Sequence, residues 1–306
     1  MAEGRRGGPP PRGDGPGRRR GEEGRGRGGP RGAPPRLGRD GSVTAAPAAH
    51  PFDALAAGYD EVFSRTPLGE RLRRAAWRRV DAAFPEGSRV LELGCGTGED
   101  AVHLARRGVA VVATDPSEPM LSAARAKAGA EALLGRVTFV RLAAEEVERE
   151  AASLGAPFDG AFSSFGALNC VADLPSAARG LASVLRPGAP LLLGVMGPFC
   201  LAETLRFLAR GEPRKAFRRF RRGGVEWRGL RVSYPSPAAL GRTLSPAFSI
   251  TRLGALGALL PPTEAEAWAR RHPRLLDRLD RWERRLETAW PLPRIADHYL
   301  LELVRT

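Results

Sequence analysis

The stretch Val-Leu-Glu-Leu-Gly-Cys-Gly-Thr-Gly-Glu-Asp at 90–100 constrains the fold more than any other. Val90, Leu91 and Leu93 suit a buried strand. Gly94, Gly96 and Gly98 follow at once, with a backbone that can turn tightly and let another group approach. From there strand and helix patterns alternate. Apolar β-rich runs occur at 88–93, 109–114, 136–141, 159–164 and 190–196, and helical spacing at about 98–107, 117–128, 144–153 and 174–185. Such alternation builds βαβ units, and so a parallel sheet covered by helices on both faces. Late strands at 247–253 and 297–304 complete the sheet. Ahead of it, Leu68, Leu72, Ala76 and Val80 mark the buried stripe of a helix over 66–84.

An excursion at 197–246 separates the fifth and sixth strands. Its first half reads as two short basic amphipathic helices, in which Arg206, Arg210, Arg214, Lys215, Arg218, Arg219, Arg221 and Arg222 interleave with Phe207, Leu208, Phe217 and Phe220. A second helical pair follows the sixth strand. It breaks at His272-Pro273, because proline opens a helix but cannot continue one. Leu276, Leu279, Trp282 and Leu286 then form a stripe read as core packing. Residues 1–48 are rich in Gly, Pro and Arg with almost nothing to bury, so they are expected to be a disordered tail, leaving 49–306 as one domain.

The chain carries a net charge of +14 but only two lysines, Lys127 and Lys215, beside 37 glycines and 27 prolines. An arginine, glycine and proline excess of this kind follows from a GC-rich coding sequence, so the charge is not taken as a sign of a nucleic-acid partner. Three cysteines, Cys95, Cys170 and Cys200, without a Cys-x-x-Cys pair argue against a disulfide framework and a zinc site, and fit a reducing cytosol. No metal is expected. No long apolar run suggests a membrane span, and no signal peptide is visible.

In an open α/β sheet, ligands bind beyond the carboxyl ends of the strands. Gly94-x-Gly96-x-Gly98 is one residue tighter than the dinucleotide fingerprint, and Glu99 and Asp100 would repel a pyrophosphate. The two acids would suit a ligand with an ammonium and a sulfonium, although Glu99 equally complements the helix dipole. Asp115 ends the second strand, where a carboxylate can accept both hydroxyls of a ribose.

With these residues in place, the motifs at 90–100, 111–121 and 158–171 resemble those of class I S-adenosylmethionine-dependent methyltransferases, nearest the small-molecule, type 11 like group. The resemblance implies a Rossmann-like sheet of seven strands, mostly parallel with the last antiparallel, helices on both faces and a helical lid after the fifth strand. It implies S-adenosylmethionine as cofactor. Gly94, Cys95, Gly96, Thr97 and Gly98 would line its amino-acid part, Glu92 would act from the strand and Asp115 would hold the ribose. Pro116 and Met120 would flank the adenine, with Ala144 and Glu145 at its edge. Where many relatives carry an aspartate, this chain has Ala143. Ser163 and Phe165 would lie beside the methyl group, and Tyr59 would close over the cofactor.

Methyl transfer from a sulfonium needs in-line positioning above all, and a base only when the acceptor is protonated. Tyr59, Asn169 and His298 are the candidates to touch the acceptor, and His298 is the one histidine placed to act as a base. The sequence lacks the Asp/Asn-Pro-Pro-Tyr/Phe signature with which relatives methylate exocyclic or amide nitrogens. The expected acceptor is therefore a small molecule, acidic or lipid-like, with peripheral membrane contact through 203–222 in an otherwise cytoplasmic protein. Two other readings stay open: an RNA methyltransferase using the basic tail, and a regulatory module that binds the cofactor without turnover.

Overall fold

The computed structural model describes residues 50–221 and 223–306, so the expected tail at 1–48 and Arg222 lie outside the described residues. Helix α1 (Pro67–Ala83) precedes the sheet. It starts on Thr66, whose hydroxyl accepts from Gly69 N at 3.0 Å, with Pro67 in its first turn. Leu68, Leu72, Ala76 and Val80 are all buried, as their spacing requires. Then come β1 (Arg89–Leu93), α2 (Glu99–Arg106), β2 (Ala110–Asp115), α3 (Glu118–Ala130), β3 (Val137–Arg141), β4 (Gly160–Ser163), α4 (Leu174–Val184) and β5 (Pro190–Met196). The excursion contains α5 (Leu201–Ala209), α6 (Pro213–Ala216) and a hairpin of β6 (Val225–Trp227) and β7 (Leu230–Val232). The chain closes with α7 (Pro237–Leu244), β8 (Phe248–Leu256), α8 (Glu266–Arg271), α9 (Pro273–Leu286), α10 (Leu292–Ile295) and β9 (His298–Arg305).

The main sheet has seven strands in the order β3-β2-β1-β4-β5-β9-β8. Pairs from β3 through to β5 are parallel, and β9 runs antiparallel between β5 and β8. Alternate residues feed two cores. Leu91, Leu191, Leu193 and Leu301 pack on one face, and Val90, Leu192 and Leu300 on the other. Strand order reverses between β1 and β4, so their carboxyl ends flank a crevice.

Four expectations need correction. The helix expected at 144–153 is a single short turn, Ala144–Glu146, followed by irregular turns. Glu145, Glu146, Glu148 and Glu150 crowd like charge at helical spacings, and the Glu146 side chain folds back to accept from Ala143 N at 3.1 Å. The β6–β7 hairpin was not anticipated; its turn is Arg228-Gly229, both at positive φ, a chemistry usually signalled by Asn-Gly. On α9, Leu276 is buried but Trp282 is 55 % exposed and Leu286 38 %. Glu283 takes the inward position instead and accepts from the backbone N–H of Gly257 and of Leu259, the latter at 2.9 Å. Finally, Arg219 does not belong to the solvated basic face of the excursion: it is buried, with its guanidinium on Glu203 and Asp297.

Candidate functional site

The crevice between β1 and β4 opens into a cavity of about 340 Å³. The loop after β1 forms one wall. Gly94 has no room for a side chain, because a Cβ there would land on the Cβ of Ala167. Gly96 differs: at φ +53° a Cβ would meet nothing within 4 Å, so the loop leaves open space beside the cavity. Gly98 does not line the cavity. Its Cβ would press on Ala124 Cβ at 2.8 Å, so this glycine serves the packing of α2 on α3.

Asp115, at the end of β2, is the best-defined polar group of the site. Oδ2 accepts from Gly96 N at 2.9 Å and Oδ1 accepts from Ser117 N at 2.9 Å. Each oxygen keeps a further lone pair, and the side chain lines the cavity. Burial raises its carboxyl above the ordinary range, while the two backbone N–H groups pull it back. Pro116, Met120, Leu142, Ala143 and Ala144 continue the wall as an apolar slot.

Other expected residues divide by position. Tyr59, Cys95, Thr97, Glu145, Ser163 and Phe165 line the cavity with Gly94 and Gly96. Glu145 Oε1 is engaged by Ala172 N at 2.8 Å, and Ser163 Oγ donates to Leu93 O at 2.9 Å. Burial pushes the Cys95 thiol well up, so it is no nucleophile at neutral pH. Glu92 is buried beneath the loop, on the Val90 face of β1, and does not line the cavity. Burial first, then the neighbouring Asp100 and Asp115, raise its carboxyl well above the usual range against the pull of Arg73. Asn169 is removed from the acceptor candidates by its partners. Its amide nitrogen donates to Met196 O (2.9 Å) and Ser233 O (2.6 Å), and its Oδ1 accepts from Met196 N (2.9 Å), so it ties β5 to the segment after the hairpin. His298 lies outside this cavity and lines a second one.

Several residues of the site were not foreseen. Arg73 reaches in from α1, donates to Asp100 Oδ1 at 2.6 Å and lies over the rings of Phe63 and Phe165. Trp77 Nε1 donates to the same oxygen at 2.7 Å, so Asp100 Oδ1 is taken by internal partners, as Glu99 Oε1 is by Lys127 at 2.6 Å. The segment 50–64 is pinned across the rim. Ser117 Oγ meets Asp53 Oδ1 at 2.6 Å, while Asp60 accepts from Thr97 Oγ1 at 2.6 Å and from Lys127 at 2.7 Å. Phe52 from this segment packs on Trp227 of the hairpin, with ring centroids 5.1 Å apart, and His50, Phe52 and Leu230 line the cavity. An Arg on the buried side of α1, one of only two lysines, and the acid directly after the glycine loop were the available signals.

A family model described as a methyltransferase domain matches residues 90–188, which hold the glycine loop, Asp115 and the β4 end. Residues 90–188 thus form a methyltransferase domain, similar to those of S-adenosylmethionine-dependent methyltransferases. The methyltransferase domain is 34 % identical over 164 residues to a malonyl-acyl-carrier-protein O-methyltransferase of Magnetococcus marinus, covering 53 % of this chain and 49 % of that protein. It is 30 % identical over 174 residues to a tRNA 5-carboxymethoxyuridine methyltransferase of Escherichia coli, covering 54 % and 65 %. The chain thus spans about half to two thirds of the length of these curated relatives. In fold it is similar to magnesium protoporphyrin IX methyltransferase from Synechocystis, with a TM-score of 0.54 at 19 % identity over 83 % of this chain and 96 % of that one. S-adenosylmethionine is the methyl donor of the superfamily, and the residues present fit it: two carboxylate oxygens with spare lone pairs, an apolar slot and a loop open at Gly96.

Proposed function

We propose that the protein transfers the methyl group of S-adenosylmethionine to a small-molecule or lipid-like acceptor by in-line displacement. The observation that carries this reading is Asp115, held through both oxygens at the carboxyl end of β2 beside an apolar slot. Asp115 would receive the ribose hydroxyls, Met120, Pro116, Leu142 and Ala144 the adenine, and the Gly94–Thr97 loop the amino-acid end. The bound cofactor supplies an electrophilic methyl on a sulfonium; the chain orients it and excludes water. Tyr59 and Phe165 stand where cavity meets acceptor side, and residues 197–246 act as a roof through Leu230. Incubation with S-adenosylmethionine labelled in its methyl group, across a panel of small acids, phenols, lipids and RNA, tests the reading. Label in a small molecule or lipid supports it. Label confined to RNA replaces the acceptor class, and binding without transfer to any acceptor replaces the enzyme reading by a regulatory one.

A second reading concerns the roof. Leu201, Leu205, Leu208, Phe217 and Phe220 are 37–57 % exposed on a surface that also carries Arg210, Arg214 and Arg221. We propose that this face contacts anionic membrane surface peripherally. No helix among the described residues is long and apolar enough to cross a membrane. Binding to phosphatidylserine vesicles that fades with salt supports the contact; no binding at low salt removes it.

A further inference from the structure

Beyond the cofactor cavity lies a second one, of about 220 Å³. Tyr59 and Phe165 line both, so the two spaces share a wall. Phe165 is held there by an unusual backbone, φ +50°, followed by Gly166 at φ +81°. A left-handed aromatic residue costs energy and persists where its surroundings over-determine it. Here they do: the ring meets Phe63 edge-on at 5.3 Å and His298 edge-on at 5.8 Å, and Arg73 covers it at 4.8 Å.

The second cavity has two kinds of surface. Phe63, Phe165, Met196 and Pro262 are apolar, and Glu203, Arg218, Arg219, Asp297 and His298 form a polar end. Charge at that end is balanced internally. Arg219 donates to Asp297 Oδ1 at 2.6 Å, to Asp297 O at 3.0 Å and to Glu203, while Arg218 sits 3.0 Å from Glu203. Two carboxylates and two guanidiniums leave no net charge. His298 remains. It opens β9 with its backbone between Met196 of β5 and Leu256 of β8, a rigid position for a working side chain. Its Nδ1 stands 3.2 Å from Asp297 Oδ2, off-line for a full hydrogen bond, an alignment that commonly tightens when substrate binds. Asp297 is a strong anchor: burial would raise its carboxyl, but His298 and Arg219 outweigh burial and hold it well below the usual range. A proton on Nδ1 would face Asp297 and leave the free lone pair on Nε2.

We propose that the second cavity receives the acceptor, that the acceptor is a small hydroxylated aromatic, and that His298 Nε2 is the base that takes the proton of its hydroxyl. The flat apolar walls fit the ring, and the neutral polar end fits an uncharged O–H rather than a carboxylate. As the acceptor oxygen bonds to the methyl carbon, the O–H and S–CH₃ bonds break. The S–C electron pair stays on sulfur, the proton goes to Nε2, and the imidazolium is balanced by Asp297. Asp297 and Arg219 are positioning residues. Tyr59, across the cavity, is the other titratable group that faces the transfer.

The inference rests on the methyl-transfer reading, and a measurement on the protein alone separates them. para-Nitrophenol changes its absorption on ionisation. The wild type, without cofactor, is expected to bind it saturably with growth of the phenolate band. His298→Asn should reduce that band at least about tenfold with S-adenosylmethionine affinity unchanged. Thr263→Trp, which adds an indole to the lining of the cavity, should abolish it. In turnover, His298→Asn should slow methylation of unsubstituted phenol, un-ionised at neutral pH, by about 10²–10⁴-fold but that of para-nitrothiophenol, ionised without help, by less than about tenfold. A wild type that never forms bound phenolate overturns the proposal. So does a band that survives Thr263→Trp, or equal losses on phenol and thiol. If the wild type fails to bind S-adenosylmethionine, the methyl-transfer reading falls instead.

Discussion

Replacing each glycine of the first loop by alanine should separate folding from ligand binding. At Gly96 an added Cβ meets nothing within 4 Å, so the cost is the left-handed backbone alone, φ +53°. That is about 1–2 kcal/mol, or a fall of about 2–8 °C in melting temperature for a domain of this size. At Gly94 the same backbone term applies at φ +69°, and the methyl also strikes Ala167. Overpacking adds about 1–3 kcal/mol, giving about 2–5 kcal/mol in all. Gly98, with Ala124 Cβ at 2.8 Å, should behave like Gly94. Gly96, mildest for stability, lines the cavity beside Gly94 and alone of the three donates to Asp115. Gly96→Ala should therefore weaken S-adenosylmethionine by at least about tenfold, or about 1.4 kcal/mol. Thermal melts and calorimetric titration on the three variants decide it. A Gly96→Ala protein that binds normally, or that melts as low as Gly94→Ala, would refute the reasoning.

Arg219→Met strands the buried Glu203 and the largely buried Asp297, so it should cost about 3–5 kcal/mol and loosen the excursion, read as faster amide exchange over 201–220. Its cofactor affinity should stay within about twofold, since Arg219 does not line the first cavity. Asp297 has a folded-state carboxyl held below its ordinary value, so its stabilising contribution is present above about pH 4 and lost as pH falls further. Asp297→Asn should accordingly lose less melting temperature than wild type between about pH 5 and pH 3; parallel acid-melt curves would contradict this.

Periodicity and local chemistry made much of the sheet legible. The seven strands follow from short apolar runs, and the position of the crevice from three glycines at a strand end with an acid ending the next strand. The residues missed are those whose roles depend on distant partners. Arg73 meets Asp100 only because α1 docks beside the loop, and Asp53 and Asp60 matter because segment 50–64 folds back over Ser117 and Thr97. Asn169 looked reactive in sequence, being polar and close to the β4 end, but three backbone bonds consume it. Glu92 and Gly98 carry motif positions whose side of the chain no motif reveals. A strand's alternation turns the first away from the cavity, and helix packing claims the second. The stripe on α9 holds at Leu276 and Leu279 and fails at Trp282 and Leu286, because a glutamate can take an inward position when two backbone N–H groups wait for it.

Calorimetric titration of S-adenosylmethionine into wild type and Asp115→Ala tests the central claim most directly, with S-adenosylhomocysteine and NAD as companions. The wild type should bind the first and its demethylated product, and not NAD. Asp115→Ala, folded by circular dichroism, should bind about 1–3 kcal/mol more weakly, because both carboxylate acceptors are lost at once. Unchanged affinity in that variant, or NAD binding in competition with S-adenosylmethionine, would contradict the account.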